Sequence, residues 1–455
     1  MMRTEARADA PRVPQVHLFA TEHGPHLLVA DGSRLYQLDA ATALSFEEAL
    51  AAEDADGVDR LLTHFGLDGG LDAGPRFVDD EPLRDPPVRA FSLAVAQKCN
   101  LGCTYCYAQE GAFGGAPRSM PVEVAQAAVD RLLSDVEAGG KVNLAFLGGE
   151  PLANRAVLRA ATERAAGLAA ERGIEIGFSI TTNGTLLSPE DGELFERHGF
   201  AVTVSLDGIG EVHDRLRPFK GGAGSFEQVI ARVDPLLRNA ARMQVSARVT
   251  VTPRNLHLPE TLDRLIEMGF HSVGFSPMLS SPTGRDEMAR DDLATMLDQM
   301  IACGREFESQ VAAGRRYPFA NLVNAMKEIH RGTHRPYPCG AGAGYLGVSA
   351  EGDLFACHRF VDDEPGAMGN LRDGVDRDRQ AAWLAERHVH RQEPCRSCWA
   401  RYLCGGGCHH EVIHRGRPAC DYIRGWLHYC LGAYVRISAL RPELFGLAAP
   451  EPAGA

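Results

Sequence analysis

The chain has 455 residues, 45% hydrophobic and 24% charged, with a net charge of -13 at pH 7. That balance describes a globular protein long enough for about three domains, and it excludes a broad basic face for nucleic acid or anionic membrane. No run approaches the ~18 apolar residues of a membrane span, and MMRTEARADAPRVPQ at the start lacks the apolar centre of a secretion signal. A cytoplasmic location is expected, where thiols stay reduced, so the twelve cysteines read as metal ligands rather than disulfides.

Three short extended segments, VHLF, HLLVA and RLYQLD, occupy residues 16–40 between Gly and Asp turn signals, and a helical pattern follows over 45–66. The stretch 14–80 is therefore expected to form a small α+β module. The charged, proline-rich DDEPLRDPP at 79–87 reads as a linker. From Val88 to about 312, strands and amphipathic helices alternate. The candidate strands are 88–96, 142–148, 174–182, 201–206, 244–252 and 271–277. Six β–α units imply a parallel sheet covered by helices, either doubly wound or a partial (β/α)6 barrel of the TIM type. In such barrels chemistry collects at the C-terminal strand ends. From Pro338 onward regularity is expected to fade, because glycines and cysteines crowd the sequence; a segment of that kind is organised by metal.

Directly after the first barrel strand, CNLGCTYC places Cys99, Cys103 and Cys106 in a C-x-x-x-C-x-x-C arrangement. Three thiolates can hold three irons of a 4Fe–4S cube and leave the fourth open to a ligand. A zinc knuckle or a set of core thiols is the alternative. Later strand ends add Gly148, Gly149 and Glu150 in FLGGE, Asn183 in ITTNG, Ser205 and Asp207 in SLDG, and Arg248 in the fifth strand. Glycine lets backbone approach a ligand closely, and a carboxylate accepts from an ammonium.

With Tyr105 before the third cysteine, this region resembles the radical S-adenosylmethionine (SAM) superfamily. The resemblance implies that SAM chelates the open iron and, on receiving one electron, yields a 5′-deoxyadenosyl radical that takes hydrogen from a substrate. It implies cluster-binding and catalytic roles for Cys99, Cys103 and Cys106. Tyr105, Gly148, Gly149, Glu150, Asn183, Ser205, Asp207 and Arg248 would then surround SAM, with the GGE holding its amino group and Arg248 its carboxylate.

Farther on come Cys339, Cys357, Cys395, Cys398, Cys404, Cys408 and Cys420, the middle four spaced C-x-x-C-x5-C-x3-C. Four such thiols could hold one zinc as a ribbon. The seven together resemble the SPASM domain, the cluster-binding extension of radical SAM enzymes that act largely on peptides and proteins; here it would span 338–436, with the radical SAM core at 88–312. The resemblance implies two auxiliary 4Fe–4S clusters, one on Cys339, Cys357 and Cys408, the other on Cys395, Cys398, Cys404 and Cys420. Some relatives, the anaerobic sulfatase maturases among them, carry a further cysteine shortly after the first; CGAGAGYLG has none, which leaves three protein ligands. Cys430 competes with Cys420 for the last position. It lies on the apolar stripe Ile423, Leu427, Cys430, Tyr434, Ile437, whereas Cys420 precedes a helix whose N-terminus stabilises a thiolate, so Cys420 is chosen. Cys303 reads as structural. His409 and His410 beside Cys408 read mainly as packing residues. His358 stands where the sulfatase maturases carry an aspartate acting as general base, which counts against that activity.

The resemblance is nearest to thioether-forming maturases of ribosomally made peptides, the SCIFF-type enzymes and the maturase of quinohemoprotein amine dehydrogenase. It implies a ribosomal peptide or protein substrate and an electron donor such as ferredoxin or flavodoxin, without nucleic acid or membrane. The β-β-β-helix pattern of 14–80 resembles the winged-helix leader-recognition element of such maturases. Carbon–carbon crosslinking maturases, a zinc-binding module and a small-molecule dehydrogenase are the other readings.

Overall fold

A computed structural model describes residues 16–67 and 78–447, so residues 14–15 and 68–77 of the expected N-terminal module lie outside the described residues. The first unit is an antiparallel sheet of β1 (Val16–Thr21), β2 (Gly24–Val29) and β3 (Arg34–Gln37), backed by α1 (Ala40–Ala51) and α2 (Ala55–His64). Val16, Leu27 and Val29 meet Phe46, Val58 and Leu62 in a small core separate from the main one. The single helix expected over 45–66 is two helices. Asp39 caps the first, accepting from the Thr42 amide at 2.9 Å, and Asp54 caps the second, accepting from the Gly57 amide at 2.8 Å. A capping aspartate restarts the helix where apolar spacing alone reads through.

After residue 88 the chain alternates as expected: β4 (Ala90–Gln97), the short β5 (Arg118–Ser119), α3 (Val122–Ser134), β6 (Lys141–Gly148), α4 (Arg155–Arg172), β7 (Glu175–Thr182), α5 (Pro189–His198), β8 (Ala201–Ser205), α6 (Glu211–Leu216), α7 (Phe226–Asn239), β9 (Gln244–Val251), α8 (Leu258–Glu267), β10 (Val273–Pro277), α9 (Arg290–Ala312) and α10 (Ala320–His330). Leu93, Ala94, Val95 and Ala96 of β4 are all buried, so the strand reads as a continuous apolar run, as parallel strands covered on both faces do. The long strands lie in the order β10-β9-β8-β7-β6-β4, every pair parallel. A doubly wound sheet would reverse its order at a switch point. This one never does, so the architecture is a partial barrel, and β10 and β4 do not pair to close it.

Beyond Pro338 the expected loss of regularity is not found. The chain forms β11 (Tyr345–Val348), β12 (Asp353–Phe355), β13 (Ala367–Asn370), β14 (Gly374–Val375), α11 (Arg377–Arg387), α12 (Arg401–Cys404), α13 (His409–Arg415) and the 21-residue α14 (Cys420–Leu440). β11 pairs in parallel with β4, and β12, β13 and β14 follow antiparallel, so one eleven-stranded sheet runs from the barrel into the C-terminal region. Leu346, Val348, Leu354, Phe360 and Leu431 are buried in the same apolar core as the barrel. Strands of two to four residues owe their stability to their partners, and they carry too few positions to show a period. The N-terminal sheet leans on this region. His17 of β1 stacks on Trp399 with 3.8 Å between ring centroids, and its Nε2 lies 2.9 Å from Nδ1 of His428 on α14. Among the described residues, no helix is long and apolar enough to cross a membrane.

Candidate cluster and cofactor site

The loop leaving β4 carries Cys99, Cys103 and Cys106 and is laced to the segment after α6. The Gly102 amide donates to Pro218 O at 2.8 Å, Thr104 N to Leu216 O at 3.3 Å, and Lys220 N to Asn100 O at 3.2 Å. The three thiols share one electrostatic environment. Burial pushes the Cys103 thiol up to about 12, Cys106 and Cys99 add to the rise, and Arg217 opposes it. Neutral donors also point at Cys99: the Leu101 amide at 3.4 Å and Asn183 Nδ2 at 3.6 Å from its sulfur. Half-buried thiols that repel one another when ionised, with N–H donors at Cys99, suit a positively charged metal group among them.

Glu150 and the glycines before it hold the strand ends together. The Glu150 carboxylate is fully buried and accepts from Asn183 N at 2.7 Å, Thr182 Oγ1 at 2.7 Å and Leu152 N at 3.1 Å. Burial raises its pKa against those three hydrogen bonds. A methyl group on Gly148 would sit 2.3 Å from Ala96 O, and one on Gly149 would sit 2.4 Å from Lys98 O. Their lack of a side chain is thus required by the close passage of β4 beside Gly148 and of the start of the cysteine loop beside Gly149.

Tyr105 and Asp207 form a buried network closed by Arg217, a residue no sequence pattern singled out. Arg217 Nη1 donates to Tyr105 Oη at 2.7 Å and lies 3.5 Å from Asp207 Oδ2, to which the tyrosine hydroxyl also donates. Thr250 N donates to the other carboxylate oxygen at 2.8 Å. Both oxygens of Asp207 are therefore engaged inside the protein, and its structural partner is Tyr105. Ser205 ends β8 in register with Arg248 of β9, and Arg248 hydrogen-bonds Ser276 of β10. Arg248 also feels the charges of Glu411 and Arg359 from the C-terminal region, which places it on the barrel face that this region covers.

The C-terminal thiols fall into two groups. Burial pushes Cys357 up to about 12, with Cys408 and Cys339 adding and Arg359 opposing. Arg359 Nη1 lies 3.7 Å from Cys408 Sγ and 2.7 Å from Glu411 Oε1, and its guanidinium sits 5.2 Å from the Tyr107 ring centroid. The second group is Cys395, Cys398, Cys404 and Cys420. Burial raises Cys395 to about 11, Cys404, Cys420 and Cys398 add, and Arg417 opposes. All four line one cavity of about 70 Å³, several water volumes, beside Cys408. Cys420 is the first residue of α14, at the positive end of the helix dipole. Cys430 and Cys303 are fully buried elsewhere in the core, the first pushed up by burial and Glu308, the second to about 12 by burial and Asp263. His358 is held near pKa 4 by burial and bonds Tyr345 Oη through Nδ1 at 2.7 Å. His409 packs its ring on Trp383 and His410 on Phe360.

Residues 93–240 match the Radical SAM superfamily, and that region is a radical SAM domain. The serine-type anaerobic sulfatase-maturating enzyme of Klebsiella aerogenes is 26% identical over 364 residues, covering 76% of this chain and 85% of its own. The radical SAM cyclopropyl synthase TigE of Paramaledivibacter caminithermalis is 22% identical over 355 residues, 73% of this chain and 72% of its own. Among solved structures, native anSMEcpe with bound AdoMet superposes with a TM-score of 0.65 at 20% identity, covering 77% of this chain and 99% of its own. SuiB of Streptococcus suis gives 0.51 at 15% identity, over 89% and 97%. Both share the fold described above.

Proposed function

We propose that this radical SAM enzyme is a peptide maturase that joins a substrate cysteine sulfur to a peptide carbon, forming a thioether. The observation that carries the reading is the division of ten cysteines into three groups: Cys99, Cys103 and Cys106; Cys339, Cys357 and Cys408; and Cys395, Cys398, Cys404 and Cys420. Apart from the exposed Cys339 the thiols of each group are buried or half-buried, they repel one another when ionised, and each group has a nearby arginine, which suits 4Fe–4S clusters held by thiolates. When bound, SAM and the first cluster supply a 5′-deoxyadenosyl radical for hydrogen abstraction, and the auxiliary clusters supply an electron sink. The chain's own part is to bind and orient. The Asn183 side chain and the Leu101 amide hold Cys99. Glu150 offers its remaining lone pair to an ammonium, and Arg248 offers a cation to a carboxylate. A cube takes four ligands, and Cys339, Cys357 and Cys408 give three, so a substrate sulfur has a corner to occupy. A bound sulfur meets a peptide carbon as a positioned neighbour rather than by collision.

The relatives' names support a peptide or protein substrate, and a low-potential donor such as ferredoxin or flavodoxin would supply the electron. The sulfatase maturases argue for a different bond, but here the general-base position is His358, half-buried and already bonded to Tyr345. Anaerobic turnover with a cysteine-bearing peptide and SAM, read by tandem mass spectrometry, decides. A thioether product is two hydrogens lighter than its precursor and resists alkylation at the joined cysteine. The same loss with every cysteine still alkylatable means a carbon–carbon bond and defeats the thioether.

The domain division at 14–80, 88–312 and 338–436 belongs to the same proposal. The first module would bind the leader of the substrate peptide by pairing it to the edge of its three-stranded sheet, so that backbone hydrogen bonds supply affinity. Deleting residues 1–80 should weaken peptide binding and spare SAM cleavage without peptide. Unchanged binding in a folded truncation would assign the module to structure alone.

A further inference from the structure

Outside the cysteine groups, three donors converge on the wall of a separate cavity. His410 and His414 stand at i and i+4 on α13, hence on one face, with ring centroids 4.5 Å apart. Asp363 reaches the same place from the turn after Phe360, and its Oδ2 lies 2.7 Å from His414 Nε2. One ligand atom from each of the three residues lies within 4.8 Å of the others. Among the described residues, His410 Nδ1 is buried without a hydrogen-bond partner. The three side chains line a cavity of about 470 Å³ that also touches Tyr107 of the first cysteine loop and Arg359 beside Cys408.

The sequence of α13 gives the spacing a chemical meaning. His410-Glu411-Val412-Ile413-His414 is an H-E-x-x-H segment on a helix, the arrangement that turns two imidazoles to one metal ion. In peptidases that use it, the glutamate is the general base. Here Glu411 is ion-paired with Arg359 at 2.7 Å, and both side chains are largely buried. The glutamate is therefore committed to the arginine, and the three remaining donors form a binding site rather than a hydrolytic one.

We propose that Asp363, His410 and His414 hold one divalent zinc ion, with the open coordination facing the cavity and available to a donor atom of an entering substrate. Two imidazoles and a carboxylate suit zinc or a similar borderline ion. In a tetrahedral site with bonds of about 2.0–2.1 Å, ligand atoms stand about 3.3 Å apart. The donors reach that spacing with shifts of about an ångström, which exposed side chains such as His414 can make. The site is separate from the ten cluster cysteines and does not depend on the bond the enzyme makes.

The test uses the full chain, anaerobically reconstituted with iron and sulfide, then incubated with zinc alone and desalted. The expected result is about one zinc per chain, with X-ray absorption at the zinc edge showing nitrogen and oxygen neighbours at about 2.0 Å. The His410→Ala/His414→Ala variant should lose that zinc and keep its iron. Should that variant also lose iron, His414→Gln, at the solvent side of the helix, replaces it and should weaken zinc retention at least tenfold. No retained zinc, zinc with sulfur neighbours at about 2.3 Å, or unchanged zinc in the folded variants would overturn the assignment.

Discussion

Replacing Arg217 with Met tests the buried network beneath the first cysteine group. The substitution keeps length and apolar stem but removes the cation facing Asp207, Tyr105, Cys103 and Glu150. Asp207 is fully buried and would keep the Thr250 amide and the tyrosine hydroxyl as donors. Breaking one side of a buried ion pair costs about 3–5 kcal/mol. The carboxylate can instead take up a proton, and from an ordinary pKa of about 3.9 that costs about 4 kcal/mol at pH 7, which caps the loss. With its two remaining hydrogen bonds, the expected loss is about 3 kcal/mol, and the Thr250 amide, which opens with this network, should exchange with solvent more than a hundredfold faster. Burial already raises the folded-state pKa of Asp207 against the opposing Arg217 charge, and removing that charge raises it further, so protonation stabilises the variant. The added penalty is full above the variant's pKa and falls by about 1.4 kcal/mol per pH unit below it, vanishing near the wild-type folded-state pKa. Asp207→Asn in the Arg217→Met background removes the stranded charge and should recover most of the protection. An exchange rate raised less than about tenfold at pH 7, or a penalty that does not shrink on acidification, would refute the account.

Cys420→Ala should lower iron by about four atoms per chain, whereas Cys430→Ala should leave iron unchanged and cost about 1 kcal/mol of core packing; iron analysis beside thermal denaturation separates the two. Gly347→Ala would place a methyl group 2.7 Å from the Cys357 carbonyl carbon and 2.8 Å from His358 N, both backbone atoms that cannot swing aside. It should deplete the group of Cys357 while SAM cleavage at Cys99, Cys103 and Cys106 persists, and full iron retention in that variant would show that the sheet edge tolerates the displacement.

The parts of the fold legible in the sequence are those whose signal is local. The six barrel strands announce themselves as apolar runs between amphipathic helices, and the observed bounds shift by only a residue or two, as with Lys141–Gly148 for 142–148. The spacing of Cys99, Cys103 and Cys106 is equally local, because all three sit in the one loop that leaves β4. β11 was not legible: YLGV between glycines has no period, and it becomes a strand because β4 offers an unpaired edge. Arg217 was hidden for a related reason. Its partner Tyr105 lies 112 residues away, and a single arginine after a short helix carries no pattern. Arg359, two residues after Cys357, was hidden likewise. The H-E-x-x-H segment was legible in principle, but its aspartate, Asp363, comes from another part of the chain. Only the fold brings the three together.

The continuity of the sheet also explains how cysteines so far apart in sequence are brought toward one another. β4 ends at Gln97, two residues before Cys99, and β11 lies beside it with Tyr345 opposite Ala90 and Val348 opposite Leu93. Gln97 then ties the two regions at the barrel mouth, its Oε1 accepting from the Ala350 amide at 2.9 Å and its Nε2 donating to Asp362 at 2.7 Å. The hairpin of β11 and β12 returns the chain so that Cys357 passes against Gly347. Strand pairing is discrete, since a slip moves a residue by about 3.3 Å and turns its side chain to the other face. The separation between the first cysteine group and that of Cys357 is therefore set by register and held by packing. Arg359 over Tyr107 adds a second tie across the same gap. The proposed reaction, in which hydrogen would leave a carbon at one centre while a sulfur waits at another, needs a distance that thermal motion does not blur, and strand register supplies one.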